Sequence, residues 1–286
     1  MLTRLVPLLL LALWPSSLSA QFASVRIEVI DVGQADAILI RTPNTHWILI
    51  DAGQSRVLGD SLRSKFGVDE LEVAVASHRH RDHIGGMDDV VGRVPIRTFI
   101  GDTAEYFGGT DDDRMRDSLR VKEVRLHGTT ADTLVVDHVR LIILPRPTAV
   151  ADEENNNSVL IRVEFGQFSA LFTGDLEEAG LAWLVDTHAD LLDVDVLKAS
   201  HHGSRNGTSP SWLDAVAPDH VVISAGVHRG FQHPHAEAVD AYAAATGGRV
   251  FCTNRHGTLR VYGFSDGRVQ INRQRASSKS CTYDGT

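Results

Sequence analysis

The segment His78-Arg79-His80-Arg81-Asp82-His83 places three imidazoles and a carboxylate within six residues, directly after the apolar run 73–76. Imidazole and carboxylate are the ligand types that zinc and related divalent ions take. A solvent-exposed histidine-rich loop accounts poorly for such spacing. On an extended segment, side chains two apart project to the same side, so His78 and His80 are expected to share one ion. Asp82 and His83 follow where the chain turns and are expected to face a second. Gly85-Gly86 is read as a tight turn that starts a helix close behind the metals.

The rest of the chain must therefore deliver strand ends to a metal cluster, and its pattern does so. Short β-branched runs occupy 25–30, 37–40, 47–50, 134–136, 139–144, 159–165, 170–172, 194–197, 221–224, 250–253, 259–262 and 269–271. Helices are expected at 177–185, at 236–245, and from Ser209-Pro210, where Pro takes the first helical position ahead of Trp212, Leu213 and Val216. The polar stretch 101–120, with Asp111-Asp112-Asp113, reads as a solvated loop and helix start rather than a functional acidic rim. With 286 residues, 43% of them hydrophobic and 23% charged, the chain can bury a sizeable core. No repeat or linker divides it, and periodicity alone indicates a layered α and β domain.

The first twenty residues differ from the rest: Arg4, an apolar run 5–14, then Pro15-Ser16-Ser17-Leu18-Ser19-Ala20. This is the form of a signal peptide with a small-residue cleavage site, and the run is short for a membrane span. The expected organisation is a leader at 1–20, one domain at 21–272, and a loose polar tail at 273–286, in a protein exported to the periplasm or medium. No membrane association is expected once the leader is removed. Export allows Cys252 and Cys281 to form a disulfide, which would staple the tail to the body with roughly 3–4 kcal/mol of loop-closure stabilisation. The sequence leaves two unpaired thiols as the alternative. Cleavage leaves the mature chain one unit more negative than the formal −9, which argues against a broad, stable nucleic-acid track.

The His78–His83 pattern resembles the H-x-H-x-D-H signature of the metallo-β-lactamase superfamily. Further motifs narrow the resemblance: Asp31-Val32-Gly33-Gln34-Ala35-Asp36-Ala37, Ile50-Asp51-Ala52-Gly53, Asn155-Asn156-Asn157-Ser158, Phe172-Thr173-Gly174-Asp175, Leu197-Lys198-Ala199-Ser200-His201-His202-Gly203-Ser204 and His233-Pro234-His235. Their order is that of the ComEC-type branch, which includes the hydrolase domain attached to the competence DNA-uptake channel and free-standing exported relatives. The resemblance covers about 25–264 and concerns the hydrolase module, not the membrane helices of the channel.

The resemblance implies an α/β fold, an αββα four-layer sandwich with the metals at one edge. It implies that Asp175 bridges two ions, the alternative being a helix N-cap. It implies that one histidine of the 201–202 pair completes the second site. His202, next to the glycine turn, is the expected ligand and His201 faces substrate; the reverse assignment stays open. His233 is expected to line the cleft and protonate a leaving group, with a plain surface role as its alternative. The implied metal ligands are thus His78, His80, Asp82, His83, Asp175 and His202, and the catalytic candidates Asp82, His201 and His233. Asp36 and Asp51 are expected to anchor loops beneath the metals, and Gly33 and Gly53 to serve turns with positive φ. In one respect the chain departs from the superfamily. Most members bring a third histidine to the first metal from a loop before the Asp175 strand, whereas no histidine occurs between His138 and His188. Asn157 or a water is expected in that place, and His138 is expected within a strand.

Two divalent ions are therefore the expected cofactors, Zn2+ first and Mn2+ second. The expected reaction is attack by metal-activated water on phosphorus or a carbonyl carbon, without a Ser or Cys nucleophile. The leading substrate is a small-molecule or oligonucleotide phosphodiester, with Lys198 and Arg205 offering local positive charge. A lactam, lactone or other acyl hydrolase is the alternative, and a non-catalytic metal-binding module the second. The oligomeric state is left open.

Overall fold

The computed structural model describes residues 23–101, 110–147, 154–228, 230–283 and 285. The expected leader at 1–20 lies outside the described residues.

The strand-forming runs assemble into two sheets. The first holds β1 (Ser24–Val29), β2 (Ile38–Arg41), β3 (Trp47–Ile50), β4 (Leu71–Val75), β5 (Ile96–Ile100) and β6 (Arg125–Leu126), joined by β14 (Leu259–Phe264) and β15 (Val269–Arg273). Its order is β15-β14-β1-β2-β3-β4-β5-β6. The second holds β7 (Asp132–Val136), β8 (Val139–Ile143), β9 (Ile161–Phe165), β10 (Phe168–Phe172), β11 (Val196–Lys198), β12 (His220–Ile223) and β13 (Val250–Cys252), in the order β13-β12-β11-β10-β9-β8-β7. Strands β3 to β6 run parallel, as do β10 to β13. A parallel step needs a crossover, and helices supply it. On the first sheet these are α1 (Leu58–Phe66), α2 (Arg81–Ile84), α3 (Met87–Arg93) and α4 (Thr110–Val121). On the second they are α5 (Glu178–His188), α6 (Pro210–Val216) and α7 (Ala236–Thr246), with a short α8 (Thr253–His256) after β13.

Alternation along the strands then fixes the layers. One face of each sheet meets the other through Ile27, Ile40, Ile48, Val75, Leu141, Val163, Phe168 and Val261. The opposite face of the first sheet packs Leu39, Leu49 and Ala74 against Leu62, Met87, Val90 and Met115 of the helices. That of the second packs Leu171, Leu197 and Val221 against Leu181, Leu184, Trp212 and Tyr242. Three apolar layers between four structural ones give the expected αββα sandwich. The parallel strands of both sheets end toward one edge, where crevices for ligands form in such folds.

Some local expectations are corrected. His138 is not within a strand. It sits with Asp137 at the β7–β8 hairpin, both at positive φ (66° and 49°). Gly85 and Gly86 do form the expected turn between α2 and α3, with Gly86 as the N-cap of α3, but at right-handed φ (−60° and −96°) that needs no glycine. A Cβ on Gly86 would collide with the carbonyl oxygens of Ala52 and Ser55, so glycine is required by close backbone approach. The triplet Asp111–Asp113 forms the helix start expected, in the first turn of α4 where acidic residues favour the helix dipole, but Asp112 is buried against Arg116 (2.9 Å) rather than solvated. The described residues of the tail are tied to the body rather than loose. Cys281 is disulfide-bonded to Cys252, the Arg255 guanidinium donates to the carbonyls of Ser280 (3.2 Å) and Thr282 (3.0 Å), and the Tyr283 N–H donates to the Pro234 carbonyl (3.1 Å).

Candidate metal centre

Most of the candidate site residues lie close beyond strand ends, Asp51 after β3, His78 after β4, Asp175 after β10 and His202 after β11, while Asp82 and His83 stand on the short helix α2. Beyond β3, Asp51 adopts positive φ (59°) and turns its carboxylate under the β4 end. There it accepts from the Ser77 N–H and hydroxyl (2.7 Å each) and from His83 Nδ1 (2.7 Å). Its partner on Nδ1 fixes the His83 tautomer and points Nε2 at Asp175 Oδ2, 3.2 Å away. Arg79 clamps the same loop to the 154–158 turn by a fork onto Glu154, with bonds of 3.1 and 3.0 Å from Nε and a terminal nitrogen and 2.8 Å from its N–H. His78 Nε2 and His80 Nδ1 consequently converge to 3.0 Å.

Beyond β10, Asp175 is buried and is not a helix cap, since α5 starts at Glu178 with Glu177 as its N-cap. Beyond β11, His201 and His202 take successive left-handed conformations (φ 47° and 53°), which part the two rings by 6.3 Å and 63°. His202 Nδ1 donates to the Ser224 carbonyl (2.9 Å), leaving Nε2 3.4 Å from both Asp82 Oδ2 and Asp175 Oδ2. His201 instead lies with Nδ1 3.2 Å from Glu177 Oε1 and Nε2 3.8 Å from Asp175 Oδ2. Asp82, His83, Asp175 and His202 thus each offer a ligand atom within 4.8 Å of the others.

Charge is arranged tightly around this cluster. Burial opposes ionisation of His83, but the Asp175 and Asp51 carboxylates outweigh it and hold the imidazole protonated up to about 10. Asp175 and Asp36 likewise outweigh burial and raise His202 well above its usual value. Burial raises Asp82, yet the His202 hydrogen bond and nearby imidazoles bring it down to about 2. Lys198, expected near substrate, is instead fully buried behind the cluster. It is paired with Asp36 and lies 4.0 Å from Asp175 Oδ1. Arg205 is exposed and faces Glu237 at 3.8 Å, away from this charge network.

The cluster suits a divalent ion. His83 Nε2, His202 Nε2 and Asp175 Oδ1 are buried without a well-formed hydrogen bond among the described residues. Buried polar atoms rarely stay unsatisfied, and two imidazole nitrogens facing carboxylate oxygens are a donor set for zinc or manganese. Asp82, His83, Asp175 and His202 are the described residues whose donor atoms converge closely enough to hold such an ion, and His78 and His80 lie beside them with ring nitrogens 3.0 Å apart.

The cluster opens into a cavity of about 490 Å3, whose walls include His80, Asp82, Asp175, His201, His202 and His233. His233 is buried, accepts at Nδ1 from the Gln34 amide (3.3 Å) and meets the His201 ring at 5.2 Å. Burial and then the neighbouring imidazoles push its pKa down to about 3, so it presents a neutral ring. The asparagine on the wall is Asn155, whose amide donates to Glu177 (2.7 Å), whereas the Asn157 carbonyl accepts from Arg146 (2.8 Å). Sequence reasoning missed Ser77, Glu177, Gln54, His228 and Phe231, the last three on the cavity wall. Only Ser77, adjoining the histidine motif, carried a local signal.

A family model described as "Metallo-beta-lactamase superfamily" matches residues 30–228. Competence protein ComA of Neisseria gonorrhoeae is 29% identical over 276 residues, covering 92% of this chain and 37% of that protein. ComE operon protein 3 of Bacillus subtilis (strain 168) is 24% identical over 255 residues, covering 82% of this chain and 32% of that protein. The chain thus spans about a third of the length of these curated relatives, which belong to the ComEC-type branch. The crystal structure of the metallo-beta-lactamase fold protein YhfI from Bacillus subtilis shares the fold with a TM-score of 0.54 at 12% identity, covering 86% of this chain and 99% of that one. Motif order, sheet order and the family match all lead to one statement: the chain belongs to the metallo-beta-lactamase superfamily.

Proposed function

We propose that this chain is an exported phosphodiester hydrolase that works with two divalent cations. The observation that carries the reading is the convergence of Asp82, His83, Asp175 and His202 beside the His78–His80 pair, at the floor of a cavity large enough for a small diester. Bound there, a pair of cations supplies an acidified water and neutralises charge developing on a phosphoryl oxygen. The side chains then have distinct tasks. Asp175 stands between the two halves of the cluster. Asp82, half-buried and ionised, accepts a proton from the attacking water at Oδ2. His201, at the cavity wall, holds a substrate oxygen. His233, held neutral by burial and the neighbouring imidazoles and fixed by Gln34, is not the proton donor expected of it; it would steady the departing oxygen by a hydrogen bond from Nε2–H, and that oxygen would take its proton from solvent.

A phosphodiester is favoured over an acyl group by the similarity to proteins named for competence and by the two extra imidazoles at the cavity wall. A formal charge of −9 favours a short diester over a long duplex. Export is supported by the leader-like residues 1–20 and by a disulfide of the kind that persists in oxidising compartments. Among the described residues no helix is long and apolar enough to cross a membrane. The reading is tested by rates on a chromogenic phosphodiester, single-stranded DNA and a chromogenic cephalosporin, each with zinc and with manganese. Diester cleavage is expected. Turnover of the cephalosporin alone under both metals makes the protein an acyl hydrolase instead, and no turnover with full metal loading makes it a binding module.

A further inference from the structure

Lys198 is a fully buried lysine with no part in the proposed reaction. It ends β11 of the second sheet, and its ammonium meets three groups beneath the cluster. It is ion-paired with the Asp36 carboxylate, donates to the Gly174 carbonyl (3.4 Å) and lies 4.0 Å from Asp175 Oδ1. Asp36 belongs to the β1–β2 connection of the first sheet, and its N–H donates to the Asp82 carbonyl (3.1 Å). Gly174 precedes Asp175, and its carbonyl also accepts from the His201 N–H (3.2 Å). A continuous chain of contacts therefore runs from Asp82 through Asp36 and Lys198 to Gly174 and Asp175.

The four converging side chains come from two sheets. Asp82 and His83 follow β4 of the first, whereas Asp175 and His202 follow β10 and β11 of the second. Apolar packing between the sheets is not directional, but a buried, charge-assisted hydrogen bond fixes both distance and direction. The two oxygens of Asp175 are divided accordingly. Oδ2 lies 3.2 Å from His83 Nε2 and 3.4 Å from His202 Nε2, while Oδ1 faces Lys198. We propose that Lys198 is a positioning residue of the metal centre, which ties the ligands carried by the first sheet to those carried by the second and turns Asp175 so that one oxygen faces the imidazoles. The inference rests on the cation-binding part of the reading above and is independent of the substrate. Its sign is distinctive. A positive charge repels a nearby cation, so a purely electrostatic role makes loss of Lys198 tighten metal binding, whereas a positioning role makes the same loss weaken it.

Lys198→Met alone would leave Asp36 charged, buried and unpaired, which destabilises a fold severely. The test therefore compares Asp36→Asn with the double variant Asp36→Asn, Lys198→Met. Chelator competition gives Co2+ affinity, the visible spectrum of bound Co2+ reports ligand geometry, and urea unfolding without metal reports the fold. The double variant is expected to bind Co2+ roughly 10–100-fold more weakly than Asp36→Asn, with a changed spectrum, while both unfold cooperatively. Equal affinity with an equal spectrum overturns the positioning role. Tighter binding by the double variant overturns it too, leaving Lys198 as a charge that repels the cation. A double variant that does not fold makes Lys198 a structural residue and overturns it as well. If Asp36→Asn alone does not fold, wild type takes its place in the comparison under the same criteria. No Co2+ uptake by wild type overturns the cation reading and this inference together, whereas uptake that the double variant matches overturns this inference alone.

Discussion

At the scale of single residues, adjacent histidines differ in task because the backbone separates them. Left-handed φ at both His201 and His202 sends one ring into the buried cluster and leaves the other partly exposed beside Glu177. His202→Ala is therefore expected to lower bound metal and turnover together, whereas His201→Ala lowers turnover more than metal. Elemental analysis beside rate measurements separates them, and the opposite pattern reverses the assignment. Proton linkage gives a second expectation. His83 is held protonated up to about 10 and His202 is raised well above its usual value, yet a metal binds only the neutral ring. Metal uptake at neutral pH must then release protons, and affinity must rise with pH. Titration calorimetry in buffers of differing ionisation enthalpy measures the release; none at pH 7 refutes the linkage. The sign for stability follows from the same shift. A pKa raised from 6.5 to about 10 stabilises the metal-free fold fully below 6.5 and loses that contribution as pH rises through about 10. Tm of metal-free protein should fall across that window.

Among the elements, Gly86 shows what a sequence motif conceals. The glycine pair after the histidine motif is visible in the sequence, but its reason is the Ala52–Ser55 backbone crossing above it. Gly86→Ala should destabilise by about 1–3 kcal/mol through overpacking. It should also weaken metal binding, because the Ala52 N–H donates to the His83 carbonyl (2.7 Å) across that contact. Urea unfolding with and without metal reads both, and unchanged stability refutes the packing account. Elements with strong local signals were legible beforehand. Most strands showed through their β-branched runs, though β5 (Ile96–Ile100) and the two-residue β6 did not, and α6 showed through Pro210 and the Ser209 hydroxyl, which accepts from the Trp212 N–H (3.2 Å). Helix α1 was not legible, because Val57 supplies no capping side chain and its buried anchors are few: Leu58, Gly59 and Leu62. Helix α3 is seven residues long, too short to display a period. The site divides similarly. Ligands clustered in one motif announce themselves, whereas buried Lys198 and the Phe231 wall depend on contacts between distant segments that no local pattern records.

Across the whole molecule, the sandwich leaves its site at a sheet edge, where loops rather than strands complete the walls. The His233 wall depends on chain far away in sequence. The Cys252–Cys281 disulfide holds the tail against β13, and from there the Tyr283 N–H reaches the Pro234 carbonyl (3.1 Å), next to His233. A cross-link spanning 29 residues limits the unfolded chain enough to contribute about 3–4 kcal/mol by loop closure. The double variant Cys252→Ala, Cys281→Ala should lose about that much stability in urea unfolding. Its metal content should remain at the wild-type level, because among the described residues no ligand in the cluster bonds to the tail. Turnover should fall, since release of Tyr283 loosens the segment that positions His233 and the Phe231 wall of the cavity. Reduction of wild-type protein should reproduce all three results, which separates the covalent link from any packing defect introduced by alanine. Stability unchanged in both the variant and the reduced protein would refute the loop-closure account. Loss of metal together with stability would mean that the tail supports the cluster itself rather than only its outer wall.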